Sequence, residues 1–210
     1  MASVPQICNM ALSHIGADTT VASISPPDGS VEAGLCATFY DQSRTELLEP
    51  GNWAFSLKRA LLAEVTNDSD AWAYAYAKPS ECLRPVRIIS AMDVLTVFNV
   101  DDSDIQINDR GVAEFDIEGE VIYSNQPDAV LVYVRDITDT TKFTPSFVSA
   151  LSFLLSSYLA GPVIKGSEGT RVGDAMRQRA YSIGDVSATA SANAGATSST
   201  FTPSSVKART

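Results

Sequence analysis

The hydrophobic period changes twice along this chain. Up to about residue 71, apolar residues recur three and four apart, the spacing that lines one face of a helix. At Trp72-Ala73-Tyr74-Ala75-Tyr76-Ala77 large aromatics fall at every second position, which is strand spacing. From Thr144-Pro145 onward the helical spacing returns. One segment cannot satisfy both periods, so the chain must hold two kinds of element, with sheet residues inserted between helical ones. The expected fold class is α+β. A helical bundle of residues 1–71 and 141–186 is interrupted by a small antiparallel β domain of 72–140. An extended C-terminal tail of 187–210 follows.

The helices announce themselves through their ends. Ser3 with Gln6 three residues on forms a capping box, and Ile7, Ala11, Leu12 and Ile15 then share a face before Gly16. Pro26-Pro27-Asp28-Gly29 breaks the chain, and Ser30 can cap a second helix with Glu32 in its first turn. Val31, Leu35, Phe39 and Leu47 mark its apolar side, with Tyr40, Arg44 and Leu48 flanking. Glu49-Pro50-Gly51 ends it. Asn52 can cap a third helix to about Glu64, whose Trp53-Ala54-Phe55-Ser56-Leu57-Lys58-Arg59-Ala60-Leu61-Leu62 reads as apolar and studded with cations. The aromatic-rich stretch from 53 to 84 reads as a junction where helices meet a sheet.

Period two governs the middle. Cys82-Leu83-Arg84-Pro85-Val86-Arg87-Ile88-Ile89, Val94-Leu95-Thr96-Val97-Phe98, Val112-Ala113-Glu114-Phe115-Asp116-Ile117 and Ala129-Val130-Leu131-Val132-Tyr133-Val134 read as strands. Glu118-Gly119 is a two-residue turn into Glu120-Val121-Ile122-Tyr123. Short connections imply an antiparallel meander or small barrel.

After Thr144-Pro145, a cap with proline at the first helical position, Val148, Leu151, Leu154, Leu155, Tyr158 and Leu159 form a broad stripe that Gly161-Pro162 should stop. The apolar run of 151–160 is interrupted by serines and reads as too short to span a bilayer. A last helix from about 168 to 185 should turn Val172, Ala175, Met176, Ala180 and Ile183 inward. Arg171, Arg177 and Arg179 lie near that stripe, as a solvated face or as partners for acids on a neighbouring copy. Beyond it Ala, Ser and Thr dominate, and Lys207 and Arg209 are the charged side chains left. Such a segment is expected to order only when a partner grips it.

Net charge is −10 over 210 residues. A surface built to grip phosphate is ordinarily basic, which disfavours a free-standing DNA-binding protein. Cys8, Cys36 and Cys82 are odd in number and widely spaced, and read as reduced, buried thiols of a chain made in a cytosol. The opening Met1-Ala2-Ser3-Val4-Pro5 carries no basic, apolar secretion pattern, and a soluble chain is expected. His14 falls near a helix end, where a cation would suit the dipole. With one histidine and no paired cysteines, a zinc site is not expected. No glycine-rich phosphate loop or nucleophile elbow occurs, and no cofactor is expected. Asp101-Asp102-Ser103-Asp104 with Asp109 comes nearest to a calcium loop but lacks its central glycine and closing glutamate. Glu114, Asp116, Glu118 and Glu120 invite a hydrolase reading, since paired carboxylates can share acid and nucleophile work on glycans. Same-face carboxylates on an exposed strand are more often solvated.

One ordered set of residues resembles a known family. Cys36, Phe39-Tyr40-Asp41, Arg44, Leu47-Leu48, Trp53-Ala54-Phe55 and Arg59, then Tyr74-Ala75-Tyr76-Ala77-Lys78-Pro79-Ser80-Glu81-Cys82-Leu83-Arg84, are similar to the tail tubular protein A family. These are the head-to-tail adaptor, or connector, proteins of short-tailed bacteriophages (podoviruses). The family's usual turn is Tyr-Ala-Leu-Pro-x-Asp-Cys-Leu-Arg; here Lys78 stands for the leucine and Glu81 for the aspartate. The likeness covers about the first ninety residues and, loosely, the helix after Pro145. It implies a non-enzymatic virion protein made in the host cytoplasm. Copies would form a dodecameric ring between the portal protein and the tail nozzle, with DNA passing through the lumen and no membrane involved. It further implies that the C-terminal segment docks on the portal; Phe201, Lys207 and Arg209 are the anchors expected in that contact, and Arg171, Arg177 and Arg179 are the expected subunit contacts. The alternative is a tail-associated glycan hydrolase using the paired carboxylates.

Overall fold

The computed structural model describes residues 2–90 and 113–194, with side chains through residue 186. Helices α1 (Val4–His14) and α2 (Val31–Leu48) open the chain. Strands β1 (Leu57–Leu61), β2 (Glu64–Val65), β3 (Tyr74–Ala77), β4 (Cys82–Ser90), β5 (Phe115–Glu118), β6 (Val121–Ser124) and β7 (Ala129–Arg135) follow. A 3₁₀ turn (Thr140–Lys142) leads to helices α3 (Pro145–Ile164) and α4 (Gly166–Ala194). The fold is mixed α+β with two antiparallel sheets.

The helix caps form where local chemistry places them. The Gln6 amide N–H donates to Ser3 Oγ at 3.4 Å while the Ser3 N–H donates to Gln6 Oε1 at 2.8 Å, closing the capping box. Ala33 donates to Ser30 Oγ at 3.1 Å and Phe147 to Thr144 Oγ1 at 3.3 Å. Ile7, Cys8, Ala11 and Leu12 of α1 are buried against α3. On α2 the buried stripe is Ala33, Cys36, Tyr40, Ser43, Arg44, Leu47 and Leu48, while Val31 is 75% exposed. The stripe keeps helical spacing but is built from small and polar residues, so composition conceals it.

Helix α3 is the core of this unit. It is 20 residues long with mean hydropathy 1.7, long and apolar enough to cross a bilayer, and so longer than the run read from sequence. In this fold it packs among α1, α2 and α4, with Phe147, Leu151, Leu154, Leu155 and Leu159 buried. Pro162 does not stop it: the proline sits in the last turn, and the break comes at Lys165 and Gly166, whose φ angles are 63° and 65°. Two consecutive left-handed residues end the helix decisively. Helix α4 then returns against α3 at close range. A Cβ on Gly169 would lie 2.8 Å from the Ala160 carbonyl oxygen, and one on Gly173 would lie 2.9 Å from that of Ser157. Ala180 is buried as expected, but Ala175 is exposed. The helix runs on through Ala194, so residues 187–194, expected in the extended tail, are helical in backbone.

The third helix expected at 52–64 is instead a turn followed by β1 and β2. β1 lies antiparallel to β7, with Arg59 opposite Val132 and Leu61 opposite Val130. The cause is tertiary. Val130 to Val134 is β-branched or aromatic at every position but Leu131, and pairing with it overrides the modest helix preference of Leu57 to Leu61. The helical unit therefore ends near Trp53, well before residue 71.

One sheet has order β1-β7-β4 and the other β2-β3-β6-β5. Their facing sides share a core of Leu62, Tyr76, Cys82, Ile88, Ile122, Ala129, Leu131 and Tyr133. The chain passes from β1 into β2 through Leu62 and Ala63, while Ala113 bridges Ile88 of β4 before entering β5. The β5–β6 turn is Gly119-Glu120, one residue later than expected, with Gly119 at φ 62°. The expected strand at 94–98, and Val112, lie outside the described residues.

The two units join at an aromatic cluster. Trp53 meets Phe147 edge-on at 5.1 Å, and Phe55 and Phe143 lie 5.2 and 4.7 Å from the same ring. Trp53 and Phe55 precede β1 and Phe143 follows β7, so both passages of the chain cross here. The junction read from sequence at 53 is present.

Candidate interaction surfaces

The first cluster binds α2, α3 and α4 together. Glu46 accepts a hydrogen bond from the Tyr158 hydroxyl, and one from the Tyr181 hydroxyl at 2.5 Å. Arg177 lies 3.6 Å from Glu46 and 4.9 Å over the Tyr158 ring, which stacks on Phe39. Burial and then the hydrogen bond to Glu46 push Tyr181 up to about 12. Arg177 is therefore engaged within its own chain. Arg179 lies 5.9 Å over Phe153, and Arg171 pairs with Glu168 one turn earlier at 2.5 Å. All three arginines named from sequence have a partner inside the chain, and Arg171 is the most exposed of the pairs' cations, at 75% of its side chain.

His14 does not act as a dipole-facing cation. Its ring stacks on Phe153 at 4.1 Å and its Nε2 lies 3.1 Å from Ser152 Oγ. Burial, then the nearby Arg179 charge, lower its pKa and favour the neutral ring. Cys8, Cys36 and Cys82 are free and buried. A hydrogen bond between Cys8 and Cys36, then burial, push the Cys8 thiol up, which makes it unreactive.

A second hub joins the strands. Glu81 pairs with Lys58 and accepts from the Tyr133 hydroxyl at 2.8 Å, and these contacts hold its carboxyl below the usual range. Burial, then this carboxylate, push Tyr133 up to about 12.

The acidic residues of the hydrolase reading are brought together only in part. Glu114 and Asp116 line an open hollow of about 530 Å³ with Trp72, Ala113 and Phe115. Glu118 and Glu120 follow in the hairpin, with Glu120 3.7 Å from Lys78. All four carboxylates are exposed, whereas a general acid is ordinarily held in an apolar pocket.

The surface that sequence reasoning missed is the outer face of the β1-β7-β4 sheet. Register places Leu57, Val134 and Arg84 in one row, Arg59, Val132 and Arg87 in the next, and Leu61, Val130 and Ile89 in the third. Leu57 and Leu61 are 38% and 65% exposed, and Arg59 and Arg87 are exposed on either side of Val132. Arg84 is engaged with the Glu49 carbonyl at 2.7 Å and Asn52 Oδ1 at 2.8 Å. The alternation Leu57, Arg59, Leu61 was visible, but a helical reading of 53–62 scattered it around a cylinder.

Phe201, Lys207 and Arg209 lie outside the described residues, as do Asp101, Asp102, Asp104 and Asp109. Among the described residues no group of three or more His, Cys, Asp or Glu side chains could hold a metal ion. No protein-family model matches the chain, and no curated protein matches it.

Proposed function

We propose that this chain is a structural virion protein, an adaptor that forms a ring between a portal and a tail nozzle and continues the DNA channel. The ordered residues shared with tail tubular protein A support the reading. The observation that carries it is the length of α4. It has 29 residues against 20 in α3, on which it packs. At about 1.5 Å per residue the surplus is roughly 13 Å. Its last buried described residue is Gly184, and Val186 is 71% exposed. A helix that outruns its support presents the segment after it to a second body, which suits an arm that docks on a portal. The β unit and the helical unit would meet neighbours and nozzle by burying surface, with no bond chemistry. Portal capture tests this. Deleting residues 188–210 should abolish it while the remaining chain keeps its helical and strand signal. Undiminished capture removes the docking arm.

A second reading, a tail-associated glycan hydrolase, draws on the hollow where Trp72 stands beside Glu114 and Asp116. An aromatic beside two carboxylates is a surface on which a sugar can stack. Release of reducing ends from capsular or storage glycans, lost in Glu114→Gln and Asp116→Gln, would favour it; no release would leave the adaptor reading alone.

A further inference from the structure

Strand β1 has an open edge. The Arg135 N–H donates to the Ser56 carbonyl and the Leu62 N–H to the Ala129 carbonyl, both at 2.9 Å, so residues 56, 58, 60 and 62 turn their peptide groups toward β7. In an antiparallel ladder the alternate residues turn theirs the other way. Leu57, Arg59 and Leu61 therefore direct three N–H and three C=O groups away from β7, and no backbone group among the described residues pairs with them. Farther along, β3 takes up this same edge, where the Ala77 N–H donates to the Ala63 carbonyl at 2.8 Å. An added strand at residues 57–61 would continue the line that β3 occupies.

The side chains at these three positions are exposed as well. Leu57 and Leu61 are 38% and 65% exposed, and Arg59 is exposed between them. Lys58, on the other face of the strand, is committed to Glu81, whereas Arg59 forms no ion pair among the described residues. Open edges are ordinarily blunted by proline, bulges or charge, because they template further strands. Here the guard is one cation between two leucines, in a chain whose acids outnumber its bases 25 to 15. Such a guard is selective: it opposes a cationic strand and favours an acidic one. It also opposes self-pairing. Two copies joined edge to edge in full register would set Arg59 directly against its own counterpart, and like charges in that position repel.

We infer that β1 accepts an extended segment of a different protein as an added antiparallel strand, with an acidic residue opposite Arg59 and apolar residues opposite Leu57 and Leu61. Main-chain hydrogen bonds supply the hold, and the alternate side chains supply the selectivity. The contact needs β1 alone, so it stands apart from portal docking by the C-terminal segment. It also differs from docking on the outer face of the sheet, which would use Arg59 and Arg87 alike. Arg87 lies beyond β7, three strand spacings or about 14 Å from the backbone of the added strand. That exceeds the screening length of about 8 Å at physiological salt.

A capped probe peptide, Thr-Val-Thr-Glu-Thr-Val-Thr, tests it. Binding to the full-length, nitrogen-15-labelled chain is followed by amide chemical shifts up to millimolar peptide, and the shifts should centre on Leu57, Arg59 and Leu61. Lysine in place of the peptide's glutamate should weaken binding about tenfold. Arg59→Glu should weaken the glutamate peptide equally and restore the lysine peptide, whereas Arg87→Glu should alter affinity by less than about twofold. Methylating the glutamate's amide nitrogen removes the bond to the Arg59 carbonyl and should abolish binding. Methylating the next threonine's nitrogen, which points away from β1, should leave it. Circular dichroism checks that the variants fold, and the methylated peptides need the wild type alone. No shifts at millimolar glutamate peptide, equal binding of the two methylated peptides, or equal losses from Arg59→Glu and Arg87→Glu overturns the added strand. Shifts of these amides with protein concentration alone would seat a second copy there and overturn the foreign partner.

Discussion

Arg44 and Asp136, 92 residues apart, form an ion pair in which the arginine side chain is buried and the aspartate side chain is 36% exposed. Arg44 is 3% exposed, and its Nη1 also donates to the Ile137 carbonyl at 2.9 Å. The neighbouring Asp136 N–H donates to the Glu81 carbonyl at 2.9 Å. One guanidinium thus ties α2 to the segment by which the chain leaves the sheet. Removing it strands a carboxylate and a carbonyl together. Water can reach the partly exposed Asp136 carboxylate, so Arg44→Met is expected to cost about 2 kcal/mol in urea unfolding, mainly from the lost guanidinium bonds. Asp136→Asn keeps an acceptor and should cost roughly half as much. Equal, negligible costs would show that the pair merely decorates the junction.

Glycine on α4 and glycine on α2 should respond oppositely to the same substitution. Gly173→Ala places a Cβ against the Ser157 carbonyl and must separate α3 from α4. Overpacking of this kind costs about 2 kcal/mol, more than alanine's better helix propensity returns. Gly34 on α2 has nothing within 4 Å of its added Cβ. Gly34→Ala should therefore stabilise by about 0.5–1 kcal/mol. Thermal unfolding of the two variants side by side checks the contrast in sign.

Alkaline pH should loosen both hubs. Tyr133 and Tyr181 are pushed up to about 12 from an ordinary value of 10.0. Between pH 10 and 12 the unfolded chain has lost these protons and the folded chain has kept them. The folded state binds more protons, so stability falls as pH rises through this window and levels off above it. Absorbance near 295 nm should show Tyr133 and Tyr181 among the phenols that titrate late, with Tyr40, Tyr76 and Tyr158 also held above the ordinary value chiefly by burial, and Glu46→Gln should bring Tyr181 back toward its ordinary value. Unshifted titration in Glu46→Gln would assign the effect to burial alone.

The parts of this fold legible in the sequence are those whose causes lie nearby. Ser3 with Gln6, Ser30, and Thr144 with Pro145 each decide a helix start within four residues. Tyr74 and Tyr76 announce a strand by their own alternation. What escaped depends on distant partners. Residues 57–61 become a strand because β7 lies beside them, and no local window contains both. His14 is neutral because Phe153 and Arg179 arrive from other helices. The inward side of α2 is set by how closely α1 and α3 approach, which favours Ala33 and Ser43 over Val31. The interaction surface was lost with β1, since an alternating Leu57, Arg59 and Leu61 is a face only once the segment is extended.

Where the chain enters β1 and where it leaves β7, the two strands touch: the Arg135 N–H donates to the Ser56 carbonyl at 2.9 Å. The sheets therefore hang from the helices by a doorway two residues wide. Insertions are tolerated where their ends adjoin, and beyond the doorway the β unit is tied to its helical frame through Arg84 on the Glu49 carbonyl and Asn52 and through Leu83 packed on the helical core.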